Sequence, residues 1–341
     1  MTWSRLKLKL SSIAKAALFH AGFFHLLRVL FPNRRVAVLR YHAVVEPKDN
    51  FYTSPGIALS IKEFERHVRY FARRYKVLSM DEVVDAITTD KQLPANAVVF
   101  TFDDGYADNW QAARILKKYG ASGTFYLTTD CIDRKEPLWL FEATYLIQKS
   151  RRQRLELELN GQRQTLPLET ERDKHLATRE VVRIIKSNNR KVREAVRKQM
   201  REQLADENWL HHSNRVMLTW NQVMSMVNDG MVIGGHTMSH LNLPNADPED
   251  AMSEIAGCKR LLQQKLSIPI RHFSVPNSGP YEYYNDSVKQ MVQSAGFVSS
   301  VTSAHGFVGP DSELLALRRI RTVPQLHEVV ATIELGKFSA K

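Results

Sequence analysis

The run Ala97-Val98-Val99-Phe100-Thr101-Phe102 ends directly on two adjacent carboxylates, Asp103 and Asp104, followed at once by Gly105. An apolar run of this length bounded by turn residues is the pattern of a buried strand. The carboxylates at its end cannot belong to the core, because burying an unpaired carboxylate is costly. They imply a cation, a proton-transfer role, or both. A second run, Met231-Val232-Ile233-Gly234-Gly235, leads into His236-Thr237-Met238-Ser239-His240. Two imidazoles four residues apart can converge on one ion, from one face of a helical turn or from a compact loop. One carboxylate and two histidines make three protein ligands and leave a metal position open, which is the composition of a catalytic site.

Neither half is decisive alone. Asp-Asp-Gly is an ordinary turn sequence, and His-x-x-x-His also occurs on solvated helices. Both follow strand-like runs, however, and in parallel α/β barrels functional residues collect at the C-terminal ends of strands. The rest of the chain has the matching rhythm. Val36-Ala37-Val38-Leu39 leads to Arg40-Tyr41-His42; Ser60 caps a helix from Ile61 to Tyr75 with Glu63 in capping-box position; Ser79 to Glu82 opens another through Ile87. A helix from Ala107 to Tyr119 stops at Gly120, and Gly123 to Leu127 is the next strand. Further on, a capped helix from Thr219 precedes the His-bearing strand. Helix Pro248 to Leu266, strand Ile270 to Val275, helix Asp286 to Gly296 and strand Phe297 to Thr302 complete the series. Strands alternating with helices of this length predict a parallel sheet or barrel. There is no internal repeat, low-complexity tract or dinucleotide-binding fingerprint.

Thr101-Phe102-Asp103-Asp104-Gly105 and His236-Thr237-Met238-Ser239-His240 resemble the first two motifs of the polysaccharide deacetylases, the NodB-homology enzymes of carbohydrate esterase family four. The resemblance spans roughly Val36 to Val323. It implies a distorted, seven-stranded (β/α) barrel and metal-dependent removal of acetyl groups from N-acetylated sugars. Carried over residue by residue, it makes Asp103 the general base and Asp104, His236 and His240 the ligands of one divalent cation. Zinc suits imidazole and carboxylate donors, with cobalt or nickel as alternatives. The Leu-x-His motif of ordinary members has no counterpart near Leu315-Ala316-Leu317-Arg318-Arg319. Leu39-Arg40-Tyr41-His42 instead resembles the N-terminal Tyr-His of circularly permuted members, which deacetylate extracellular poly-N-acetylglucosamine. His42 is then the expected general acid, poised near neutrality; a hydrogen-bonded structural histidine is the alternative. The third motif also departs from the family pattern. Phe273-Ser274-Val275-Pro276-Asn277 lacks the arginine that orients the base, so Arg318, Arg319 or Arg321 is expected to supply it. His272 and His305 are expected to be structural or surface residues. A backbone N–H of Gly105 or Tyr106 is a candidate for holding the oxyanion.

The organisation expected from these readings has four parts. Residues 1–35 form a basic amphipathic segment, 36–147 and 215–325 the barrel, 148–214 a charged insertion and 326–341 a tail. The insertion carries a hairpin-like stretch at Leu155 to Leu166 and long helical character from Glu180 to Leu204. In the first segment Leu10, Ile13, Ala14, Ala17, Leu18, Ala21 and Phe24 outline an apolar stripe, and no acidic residue occurs before Glu46. Lys15, His20, His25 and Arg28 break it, so a membrane-spanning run is absent, and no cleavage site follows as in a signal peptide. Two placements remain open: a helix lying on an anionic membrane surface, or one packed on the barrel. The net charge of +12 favours anionic partners. Nucleic acid is disfavoured, since the basic stretches lack interleaved aromatic platforms. Cys131 and Cys258 suit a reducing compartment better than a disulfide framework. The expected location is therefore cytoplasmic or peripherally membrane-associated. The expected function is an N-deacetylase of an N-acetylated oligo- or polysaccharide. A same-fold hydrolase of another linear amide and a silent carbohydrate-binding barrel are the rivals.

Overall fold

The computed structural model describes residues 11–53, 55–159, 161–277 and 282–338. Seven parallel strands close on themselves: β1 (Ala37–Tyr41), β2 (Ala97–Phe102), β3 (Gly123–Leu127), β4 (Val232–Gly235), β5 (His272–Ser274), β6 (Ser299–His305) and β7 (Leu317–Arg321). They follow one another around the barrel in chain order. β1 seals it, pairing with β2 through Leu39↔Phe100 and with β7 through Leu39↔Ile320. A short extra strand, Lys76–Val77, pairs with the start of β2, and β3 takes over that edge from Phe100 onward. The thinnest seam is β4–β5, held by the single register pair Phe273↔Gly235.

Period-two alternation sorts the strand residues into two buried layers. Val38, Val99, Tyr126, Val301 and Leu317 form one cluster within the barrel, closed by Met80, Val83 and Val84 of helix Met80–Thr88. Leu39, Phe100, Phe102 and Phe125 belong to the larger layer beneath the helices, where Phe102 and Phe125 stack with ring centres 4.4 Å apart. The same parity carries Thr101 and Asp103 inward above Val99, and Arg319 inward above Leu317. β7 was not anticipated from the sequence, because Leu317-Arg-Arg-Ile-Arg is too charged to read as a buried strand. Its inward arginine is buried at the top of the barrel instead of being solvated.

The helices used below are α1 (Ser12–His20), α2 (Phe23–Leu30), α3 (Ile61–Arg74), α4 (Glu171–Lys186), α5 (Arg190–Leu204), α6 (Pro248–Leu266) and α7 (Leu326–Gly336). Ser60 with Glu63 and Thr219 with Gln222 form the capping boxes expected at their helix starts. The insertion contains the expected hairpin, with Leu155↔Leu166 in register. Its long helix is two helices: Asn189 caps α5 through Val192 N–H and separates it from α4. Both bury apolar stripes, Val181, Ile184 and Ile185 on α4, Val196, Met200 and Leu204 on α5. Glu142, fully buried on helix Trp139–Lys149, accepts from Arg197 Nε (2.5 Å) and from Arg201, tying α5 to the barrel.

One terminal expectation is corrected: within the 326–341 segment expected to be a tail, α7 buries Leu326, Val329, Val330 and Ile333. The amino-terminal segment is a bent pair, α1 and α2 meeting at 71°, and no single helix among the described residues is long and apolar enough to cross a membrane. α1 packs on α7, with Lys15 on Glu328 (2.7 Å) and Ser12 on His327 (3.2 Å). Of the apolar stripe, Phe24 is buried and Leu18 packs against the core, whereas Ile13, Ala17 and Ala21 are exposed. Arg5, Lys7, Lys9 and Leu10 lie outside the described residues.

Candidate active site

The site is built where the strands end. The Ala97–Phe102 strand delivers Asp103 and Asp104 to the barrel mouth, and the backbone then turns through the left-handed region at Asp104 (φ 79°) and Gly105 (φ 83°). A side chain at Gly105 would be strained by that φ, and its Cβ would press within 3.2 Å of Leu127. After β4 the 236–240 segment is a compact loop, not a helical turn, with Thr237 (φ 65°) and His240 (φ 56°) also left-handed. Gly234 lets this strand approach its neighbours, since a Cβ there would fall 2.6 Å from the Tyr126 ring and 2.7 Å from the His272 carbonyl.

The two aspartates receive different partners. Asp103 is held by Arg319, whose Nη1 and Nη2 each donate at 2.8 Å to Oδ1 and Oδ2 in a bidentate pair, and by Ser274 Oγ at 3.0 Å. Arg319 is itself fixed by donating Nε to Thr302 O at 2.9 Å. Of the three candidate arginines it is the buried one; Arg318, on the other face of β7, and Arg321, at the strand end, are exposed. Burial would raise the Asp103 carboxyl, but Arg319 outweighs it and holds the group below the usual carboxylate range.

Asp104 instead faces the two histidines. His236 Nε2 and His240 Nε2 both lie 3.4 Å from Asp104 Oδ1. All three side chains are buried, and their ligand atoms lie within 4.8 Å of one another. His236 Nδ1 pairs with the Ser274 carbonyl at 2.7 Å, which orients the ring and leaves Nε2 free to ligate. The donor set, one carboxylate and two imidazoles, fits a divalent cation of the zinc type and leaves coordination positions open. Burial raises the Asp104 carboxyl as well, yet the two imidazoles keep it well below its ordinary range.

His42 follows β1 and joins this group as the barrel closes. Its Nε2 stands 3.8 Å from Asp103 Oδ2, and Asn109 Nδ2 holds its carbonyl at 2.8 Å. One expectation needs correction: the imidazole is not poised near neutrality. Burial pushes it down to about 4; the two aspartates oppose that, and Arg40 and Arg319 reinforce it. Of the two N–H groups considered for an oxyanion, that of Gly105 already donates to Asp103 O at 3.1 Å, leaving that of Tyr106. His272 is structural, bound to Ser299 Oγ (2.8 Å) and Asp81 Oδ1 (3.0 Å), and His305 is exposed at the end of β6.

The insertion reaches the site, which no motif signalled. Arg193 of α5, buried, donates to the Ser239 carbonyl (3.1 Å) and to Ser239 Oγ (2.8 Å). Glu254 of α6 accepts from Ser239 N–H at 2.7 Å and from its hydroxyl. The loop carrying both histidines is thus clamped between the insertion and the barrel's own helix. Trp139 adds an Nε1 bond to His240 O at 2.9 Å.

The family model for polysaccharide deacetylases matches residues 90–299, more than half of the chain. The chain belongs to the polysaccharide deacetylase family. Its members hydrolyse carbon–nitrogen bonds other than peptide bonds. YxkH of Bacillus subtilis (strain 168), provisionally named a polysaccharide deacetylase, is 24% identical over 294 residues, 85% of this chain and 72% of that protein. Among solved structures, the Streptococcus pyogenes deacetylase PplD in complex with acetate aligns with a TM-score of 0.56 at 20% identity, covering 86% of this chain and 94% of that one. IcaB from Ammonifex degensii aligns at 0.55 and 18% identity, covering 88% and 97%. These likenesses establish the barrel as the family's fold.

Proposed function

We propose that this enzyme hydrolyses the acetamido group of an N-acetylated sugar polymer or glycan intermediate, releasing acetate. The observation that carries the reading is the division of labour between two adjacent aspartates. Asp103 is engaged by a guanidinium and a hydroxyl, whereas Asp104 faces two imidazoles in a buried cluster of ligand type. Asp104, His236 and His240 would hold one divalent cation, zinc by donor chemistry. When bound, it supplies Lewis acidity toward water and the acetyl carbonyl.

Asp103 is the group that receives the proton of the attacking water. Arg319 keeps it ionised and fixes its orientation, at the cost of making it a weak base. With His42 at about 4, neutral pH leaves both groups unprotonated. The site therefore starts with acceptors, and the proton removed from water is the one handed to the departing nitrogen, with His42 beside Asp103 as its carrier. The Tyr106 N–H is the candidate donor to the developing oxyanion.

Acetate release from a panel of acetylated oligosaccharides, with and without Zn²⁺, Co²⁺ or Ni²⁺, tests this reading. Metal-stimulated acetate supports it. Release of ammonia or a ring-opened acid from another amide would replace it with a different hydrolase. Glycan binding without turnover would make the chain a binding barrel.

A further inference from the structure

The α2 helix buries Phe24 and Arg28 and leaves an apolar ridge uncovered. Leu26, Val29, Leu30 and Phe31 each keep more than half of their surface in water. Phe338, equally exposed, packs edge-on against Phe31 with ring centres 5.7 Å apart. Single exposed apolar residues are ordinary, but a contiguous group of five marks an interaction surface. These are not the residues of the stripe on which the sequence suggested membrane contact, of which Leu18 and Phe24 face the protein and Ile13 is exposed.

A basic face stands next to the α1–α2 bend. Lys62, Arg66, Arg69 and Arg73 recur on α3 at spacings of four, three and four, which puts them on one exposed side of the helix. Of the two acidic residues among them, Glu63 is engaged in the capping box with Ser60 and Glu65 by Lys118 and Tyr119. Arg66, Arg69, Arg73 and Arg74, together with His20 and His25 from the bend, line a cleft of about 490 Å³ that has no acidic residue in its walls. Four guanidiniums around such a cleft repel one another until an anion enters. Anion-binding groups beside an apolar ridge match the layered chemistry of an anionic phospholipid surface, phosphate outermost and acyl chains beneath.

The ridge and the C-terminal turns of α3 lie toward the same end of the barrel, and the cleft rises from there along the barrel wall to Leu326. Asn33, just past α2, accepts from Asn96 N–H at 2.6 Å and donates its own N–H to Asn96 Oδ1 at 2.9 Å, immediately before β2 begins. α3 runs down to Tyr75, ahead of Lys76, which pairs with Ala97 at the same end. Asp103, Asp104 and His236 follow the opposite, C-terminal ends of their strands.

We propose that this end of the barrel docks peripherally on an anionic phospholipid membrane. The α2 ridge enters the acyl boundary and the arginine cleft holds a lipid phosphate. The docking does not rest on the deacetylase reading.

The test is cosedimentation of the full-length protein with phosphatidylcholine vesicles, with and without phosphatidylglycerol. Binding should require phosphatidylglycerol and fall about tenfold or more as salt rises. Arg69→Gln with Arg73→Gln should weaken it by about tenfold or more, as should Leu26→Glu with Val29→Glu. Both variants should keep the wild-type far-ultraviolet circular dichroism and the rate on a soluble acetylated oligosaccharide. Sedimentation is read independently of turnover, so failure of the deacetylase reading leaves this result standing. The proposal is overturned by no preference for anionic vesicles, by unchanged binding of either variant, or by resistance to alkaline carbonate extraction. Inorganic phosphate binding without vesicle binding would overturn it too, as would a lipid-free dimer that Leu26→Glu with Val29→Glu disrupts.

Discussion

Replacing Arg319 with Met should be among the most damaging single changes in the barrel. The guanidinium is 1% exposed and its carboxylate partner 3%, with both bonds at 2.8 Å. Unit charges about 4 Å apart interact by about 4 kcal/mol at an effective dielectric constant of about 20. Breaking a buried pair by removing one partner costs about 3–5 kcal/mol, because the other charge stays buried. The two estimates agree, so Arg319→Met should lose about 4 kcal/mol at pH 7 by urea unfolding. Removing the guanidinium also removes the main charge that holds the Asp103 carboxyl low, so the acidic limb of the rate profile should move to higher pH. The sign follows from linkage. A carboxyl held low when folded stabilises above its unfolded pKa, and that stability is lost as the pH falls toward the folded value. The gap between wild type and variant should therefore narrow below about pH 4. Adding Asp103→Asn to Arg319→Met should recover much of the lost stability without recovering turnover, since no charge is left stranded. A loss under about 1 kcal/mol, with no recovery in the double variant, would refute the assignment of Arg319 as the clamp on Asp103.

Four further outcomes follow from the same geometry. Asp103→Asn should keep bound metal and lose about 10²-fold or more in rate, whereas Asp104→Asn should lose metal; equal metal loss, read by elemental analysis, would contradict the division of roles. His42→Ala should lower the acetate-release rate by about 10²-fold while sparing metal affinity, and a normal rate would return His42 to a structural role. Arg193→Ala should weaken metal retention about tenfold or more through the Ser239 loop, with partial recovery in Arg193→Lys; unchanged metal titration would show that the insertion does not position the ligands. His67, fully buried between the Tyr41 hydroxyl and the Pro324 carbonyl, is pushed down to about 4 by burial. The unfolded chain takes up its proton first, so stability should fall by about 3 kcal/mol between about pH 6.5 and 4. His67→Gln should flatten that slope in urea titrations, and an unchanged slope would assign it elsewhere.

How far the site can be read from residues alone depends on the range of the interaction concerned. The strand Ala97–Phe102 and the loop 236–240 are local statements: an apolar run, a turn, and ligands of suitable chemistry at short spacing. They are enough to nominate Asp103, Asp104, His236 and His240 and to indicate a barrel. Arg319 is a different case. Arg318, Arg319 and Arg321 are equivalent as letters; the parity of β7 sets Arg318 on the other face, and position along the strand separates the buried Arg319 from Arg321, exposed at the strand end where it donates to Gly56 O. β7 itself is hidden in the sequence because three of its five residues are arginines and only a closed barrel gives Arg319 a buried partner. His42 comes beside Asp103 through the pairing of β1 with β2, a contact between segments about 60 residues apart that spacing in the chain does not reveal. Its low proton affinity arises from burial, which no spacing encodes. The insertion has its hairpin and helical periodicity written locally, yet its contact with the histidine loop joins Arg193 to Ser239 across 46 residues. The amino-terminal stripe makes the limit plain. Hydrophobic periodicity identifies a helix face that leaves water, but whether α7 or a lipid covers that face is decided by packing. Local chemistry is encoded in neighbouring residues, whereas the partner of a buried charge or an apolar face is chosen by whatever the fold brings against it.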